Sequence, residues 1–252
     1  MLTYVYALVR ADERPQLRSM PAPMPGGEPA RLVAAAERLW LAVSTVPAQD
    51  YQESALQAGL QNLEWLGPRA IAHEAVVEHF LPCAAVLPMK LFTLFKSDER
   101  AVEHVACTHK KIEGILERIE RHVEWGLRLT WVEQAALQAV QRRHGKVAEA
   151  SGAAYLARKR DLLDASRSQW TTAQAAAERL YRTMGQEAAA SRRHADNAEA
   201  APHSRVLLDA AFLVRSEKAD AFRALLKREA PLLGETGIVA TLTGPWPPYN
   251  FV

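Results

Sequence analysis

Apolar side chains fill both alternating faces of Leu2–Val9 (Leu-Thr-Tyr-Val-Tyr-Ala-Leu-Val), a run rich in β-branched and aromatic residues. That pattern predicts a strand buried in the middle of a sheet. Residues 15–29 then carry Pro21, Pro23, Pro25, Gly26 and Gly27, which predicts a loop with freedom to move. Leu32–Ala36 and Leu39–Val43 read as two short strands, the second stopped by Pro47. From about Gln52 to Leu81 the apolar positions Ala55, Leu56, Leu60 and Leu63 recur at helical spacing. Gly67-Pro68 is the expected break, with Pro68 opening the next helix. Ala84–Leu87 is a short apolar strand before Pro88, extended by Leu91–Phe95. Ser97-Asp98-Glu99 is a helix start, with a capping hydroxyl and two acids in the positive first turn. The helix it opens runs through Ile119 with one apolar face.

In the second half, Val123, Trp125, Leu127, Leu129 and Trp131 share one face at a period of two, which predicts a half-buried strand. From about Glu133 to Ala201 the chain turns rich in Ala, Arg and Gln and lacks proline. There Leu156, Leu163, Trp170, Ala177 and Met184 repeat every seven residues, with Ala173 and Leu180 on a partial second seam. Two helices packed as a coiled-coil-like hairpin are expected. Val206–Val214, Glu217–Arg228 and Gly237–Leu242 then read as strand, helix and strand. The expected class is α+β. Residues 1–122 form a modified ferredoxin-like module. Residues 123–252 form a second α+β module carrying the helical insertion at about 133–201 and a C-terminal tail.

Composition changes this picture little. A chain of 252 residues, 49% hydrophobic and 24% charged, can bury its own core without staples. A formal net charge of +2 is too small to point to nucleic acid. Cys83 and Cys107 are isolated, as in a reducing compartment, and fit small core residues. No run approaches the roughly 20 apolar residues of a membrane span, and the start lacks a signal-peptide pattern. A soluble cytoplasmic protein is expected.

Candidate chemistry is sparse. Phosphate-loop, dinucleotide, nucleophile-elbow and paired-histidine zinc patterns do not occur. His104, Cys107 and His109 stand close together, and His104 could share a helix face with Cys107. A metal would still need another ligand such as Cys83, so no metal or other cofactor is expected. Asp98-Glu99 and the pair Asp161 and Asp164 fit solvated helix surface better than an acid–base pair. Between Gln141 and Arg193 there are eleven Lys/Arg against five acids. This basic stretch, Arg158-Lys159-Arg160 at its centre, suits an acidic partner; nucleic acid is a poorer fit, because no aromatic platform for stacking bases is interleaved with the charges. The tail Gly244-Pro-Trp-Pro-Pro-Tyr-Asn-Phe-Val252 is the least ordinary segment. Trp246, Tyr249 and Phe251 carry more apolar area than a solvated tail would, so it either packs on its own module or docks on a partner. Packed there, Trp246 would contribute roughly 3 kcal/mol to the second module.

Four stretches resemble the gas vesicle protein family GvpF/GvpL: Tyr4–Val9; His73-Glu74 followed by Val86–Phe95; Glu124-Trp125-Gly126 followed by Ser151–Leu156; and the Gly244–Val252 tail. The resemblance implies a ferredoxin-like first domain and a second domain mixing strands with coiled-coil-like helices. It also implies a non-catalytic role beside a small, very hydrophobic shell protein and other vesicle accessory proteins, located in the cytoplasm and at the vesicle. Candidate partner-binding residues are Arg158, Lys159, Arg160, Trp246, Tyr249 and Phe251. No catalytic residue carries over, and no membrane or nucleic acid is implied. Two other readings stand beside it. One is a small-molecule enzyme on a ferredoxin-like scaffold, motivated by His73, His79 and His104. The other is a coiled-coil adaptor, motivated by the Leu156–Met184 seam.

Overall fold

The computed structural model describes residues 1–144, 152–195 and 203–252, and their side chains except at 137, 140–144 and 152–167. The chain divides into two compact units, residues 1–123 with 246–252, and residues 124–245.

The first unit is built on β1 (Leu2–Arg10), β2 (Arg31–Ala36), β3 (Leu39–Val46) and β4 (Ala85–Pro88). They lie in the order β2-β3-β1-β4, and the short β5 (Leu94–Phe95) also pairs with β1. All the pairings are antiparallel. As the two-faced apolar pattern predicts, β1 is central and Tyr4–Val9 are all at most 1% exposed. A bulge between Val5 and Ala7 turns both Tyr6 and Ala7 toward one layer. That layer is completed by α1 (Ala48–Tyr51), α2 (Glu53–Gly59) and α3 (Leu63–His79), which supply Tyr51, Val76 and Val77. On the opposite face, Val5, Leu8, Leu41 and Val43 meet Ala101 and Val105 of α4 (Asp98–Cys107) and Ile112, Leu116 and Ile119 of α5 (His109–Ile119). Each such fully buried aliphatic side chain contributes on the order of 2 kcal/mol.

Three local expectations change. The proline-rich loop is a packed layer: Met24 is fully buried, its N–H donates to Tyr6 Oη at 2.9 Å, and Tyr51 Oη donates to the Pro25 carbonyl at 2.7 Å. Pro68 does not break the helix, because α3 starts one and a half turns earlier at the Asn62 cap. Asn62 Oδ1 accepts from the Glu64 and Trp65 amides, and the Glu64 carbonyl that loses a partner to Pro68 belongs to an exposed residue. The helix after Ser97 is two helices meeting at Thr108, whose hydroxyl donates to the His104 carbonyl at 2.7 Å while its backbone leaves helical geometry. A competing side-chain bond of this kind favours a helix end.

The second unit contains β6 (His122–Val132), β7 (Ala190–Arg193), β8 (Ser204–Arg215) and β9 (Ile238–Trp246), ordered β7-β8-β6-β9. The helices are α6 (Glu133–His144), α7 (Gly152–Glu187) and α8 (Ala219–Gly234). Trp125 of β6 and Phe212 of β8 both meet Phe222 of α8, with ring centres 6.4 and 5.5 Å apart. Helix α7 packs on α6, α8 and β8. Of the seven-residue seam, Ala173, Ala177, Leu180 and Met184 are buried and Trp170 is half-buried; the side chains of Leu156 and Leu163 lie outside the described residues. The helical stretch expected to reach Ala201 ends earlier: Ala-Ser-Arg-Arg at 190–193 forms β7 against β8.

Candidate functional site

The most organised polar arrangement lies inside the first unit. Helix α3 presents His73, 4% exposed, to Tyr4 of β1. The Met89 carbonyl lies 3.2 Å from His73 Nε2 and can only accept, so that nitrogen carries the proton. Nδ1 is then the acceptor, and Tyr4 Oη donates to it at 2.7 Å. Tyr4 Oη in turn accepts from the Phe92 amide at 3.3 Å. Alongside, Tyr6 Oη donates to Ser44 Oγ at 3.0 Å. The chain of bonds is complete with a neutral ring. Burial lowers the His73 pKa to about 4, against which the Met89 carbonyl pulls upward, and burial raises the Tyr4 phenol well above its ordinary value. Every polar atom of His73 has an internal partner, so the arrangement is a satisfied core network, not a poised catalytic centre.

Other candidate residues fall apart from one another. His79 Nε2 lies 3.2 Å from the Gln16 carbonyl, and His104 packs on the Phe95 ring at 5.4 Å. Cys83 is half-buried and Cys107 exposed; among the described residues no three potential ligands gather round a metal position. Asp98 is not bare helix surface: it accepts from Thr3 Oγ1 at 2.8 Å and pairs with Arg31 at 2.9 Å. Asp161 and Asp164 lie outside the described side chains, as do Arg158, Lys159 and Arg160, which the structure places on α7. An open cavity of about 590 Å³ in the second unit is lined by Trp131, Glu133, Trp170, His203 and Arg205. Its charges are already partnered: Arg205 lies 5.1 Å from the Trp170 ring centre, and His203 Nδ1 lies 3.4 Å from Glu133 Oε2. His73 does not line it.

The surface offers more. Leu60, Leu63 and Ile71 are 52%, 82% and 72% exposed, at the end of α2 and along α3. The tail, expected to close the second module, groups with the first. Pro247 and Pro248 are buried, Tyr249 packs against the Tyr4–Tyr6 layer, and the Phe251 carbonyl accepts from Arg118 at 2.5 Å. Burial and the Glu74 carboxylate beside it push the Tyr249 phenol up. Trp246 remains 36% exposed.

The sequence profile of the family described as "Gas vesicle synthesis protein GvpL/GvpF" matches residues 2–252. The chain belongs to this family. A curated relative, gas vesicle protein L of Streptomyces sp. (strain CB03234), is 32% identical over 252 residues, covering 99% of this chain and 92% of that protein. Two crystal structures share the fold. Gas vesicle protein GvpF from Anabaena sp. PCC7120 matches at a TM-score of 0.67 and 15% identity, covering 99% of this chain and 95% of its own. GvpF from Microcystis aeruginosa matches at a TM-score of 0.67 and 13% identity, covering 99% and 98%.

Within this GvpL/GvpF chain, three of the four stretches that carry the resemblance meet in one place. β1 supplies Tyr4, His73-Glu74 supplies the imidazole and the acid beside Tyr249, the segment after Val86 supplies the Met89 carbonyl and Phe92 amide, and the tail supplies Tyr249. In the remaining stretch, Gly126 lets β9 approach: a Cβ there would stand 2.7 Å from Thr243 Oγ1. The pairing of Tyr4 with His73 spans 69 residues, and no local signal in the sequence announces it.

Proposed function

We propose that this chain takes part in gas vesicle formation by binding the hydrophobic shell protein before or during its assembly. Membership of the GvpL/GvpF family over residues 2–252 carries the reading. A shell subunit with apolar surface is prone to aggregate until it is assembled. A globular α+β protein with an apolar patch can cover that surface or seed its ordered growth. Leu63 and Ile71, left in water on the helix that also supplies His73, support a client surface on the first unit. Arg158, Lys159 and Arg160 would serve an acidic accessory protein. Of the tail aromatics, Trp246 is the most available to a partner, with Tyr249 and Phe251 half-buried. The role is non-enzymatic and cytoplasmic, at the vesicle, and needs neither nucleic acid nor membrane. No helix among the described residues is long and apolar enough to cross a bilayer.

The same reading takes residues 1–122 as a modified ferredoxin-like domain, supported by the order β2-β3-β1-β4 with a packed loop in place of the first helix. It takes α6 and α7 as the coiled-coil-like insertion of the second domain expected at 123–252, supported by their mutual packing, with the tail residues 246–252 assigned to the first unit instead. Deleting the gene in a vesicle-forming host should abolish or malform vesicles, and the intact gene should restore them. Vesicles of normal number and shape in the deletion strain would remove the basis of the proposal.

A further inference from the structure

We infer that the outer edge of β9 pairs antiparallel with β9 of a second copy of this chain, joining two four-stranded sheets across a two-fold axis. β9 is last in the order β7-β8-β6-β9. It offers a proline-free run of seven residues, Ile-Val-Ala-Thr-Leu-Thr-Gly at 238–244, without a single charge. An extended, uncharged edge is a template for another strand, which proteins ordinarily blunt with charge, proline or shortness. The other edges are blunted in those ways. β2 has six residues, starts at the ion-paired Arg31 and is kinked by a bulge between Ala34 and Ala36. β4 has four residues and ends in Pro88. β7 has four and ends in Arg192 and Arg193, the latter paired with Glu178.

The run fits itself. Centred on Thr241, antiparallel pairing sets Val239 opposite Thr243, Ala240 opposite Leu242, and Thr241 opposite its own copy. Val239, Thr241 and Thr243 are exposed on one face, so these pairs form a row of β-branched side chains with no like charges opposed. On the other face, half-buried Ala240 and Leu242 gain cover from their counterparts. An isologous two-fold contact closes on itself. The joined sheet would end on both sides at β7, whose shortness and arginines stop further addition. The inference is independent of shell-protein binding.

The test is analytical ultracentrifugation of the full chain at rising concentration. Wild type should approach twice the 27.9 kDa monomer mass. Thr241→Lys and Thr241→Glu each place like charges face to face across the axis and should each sediment as monomers with unchanged circular dichroism. Mixed in equal amounts, they should regain the wild-type dimer. A wild type that stays monomeric up to its solubility limit overturns the inference. So does a dimer that survives Thr241→Lys, because the contact would then lie elsewhere, or a mixture that stays monomeric.

Discussion

Acidification should weaken the first unit through His73, and the structure sets the size of the effect. The folded ring titrates near 4, against 6.5 for the ordinary imidazole. A folded pKa below the unfolded one means that the unfolded chain binds the extra proton first. Stability is therefore fully present above pH 6.5 and is lost as pH falls toward 4. Integrated from neutrality to pH 4.5, the loss is about 2.5 kcal/mol, out of about 3.4 kcal/mol for the whole interval. The cause is concrete. A proton on Nδ1 displaces the Tyr4 hydroxyl proton from its acceptor, and the charge sits at a residue only 4% exposed. Carboxylates also titrate in this range, so the measurement is a difference. Urea unfolding of wild type and His73→Gln, which keeps a donor and an acceptor but does not titrate, is followed from pH 7 to pH 4.5. The wild type should lose about 2.5 kcal/mol more than the variant. Parallel curves would refute the assignment of a neutral, internally bonded His73.

Other consequences follow from packing. Met24→Ala should cost about 3 kcal/mol in thermal or urea unfolding, because Met24 is fully buried in the loop layer; a change below about 1 kcal/mol would mean that the loop is not packed. Tyr249→Ala should cost about 2 kcal/mol and Trp246→Ala under about 1 kcal/mol, since Tyr249 lies on the core layer while Trp246 is 36% exposed. The reverse order in differential scanning calorimetry would restore Trp246 as the tail's anchor. Gly237→Ala should cost about 2 kcal/mol or more, because Gly237 has φ +81° and an added Cβ would stand 2.6 Å from Ala136 Cβ. A neutral result in the same assay would contradict the close approach of α6 to the start of β9.

Much of the fold was legible because burial writes itself into period. β1 and β6 announce themselves through β-branched and aromatic residues on the faces they bury. What failed to show has physical reasons. β7 is Ala-Ser-Arg-Arg, a short edge strand whose side chains stay largely in water, so it leaves no apolar alternation. Pro68 reads as a break, yet it removes one helical hydrogen bond at an exposed turn, which the burial of Val76 and Val77 further along α3 outweighs. The loop at 15–29 reads as mobile because proline and glycine dominate it, while buried Met24, with Leu17 and Met20 beside it and the Tyr51 bond to the Pro25 carbonyl, anchors it. The tail's aromatics were visible, but spacing along a chain does not say which unit they cover. The Tyr4–His73–Met89 network was equally hidden: a lone histidine on a helix looks the same whether its partners come from water or from a distant strand.

Binding of the vesicle shell protein by this GvpL/GvpF chain, proposed above from its family membership, is open to a direct test. Co-expression of the tagged full chain with the shell protein, followed by affinity capture and identification of what is retained, tests it most directly. The shell protein should be captured and kept soluble by the chain, and not by an unrelated tagged protein of similar size. Shell protein that aggregates to the same extent with and without the chain, and none of which is captured, would contradict it.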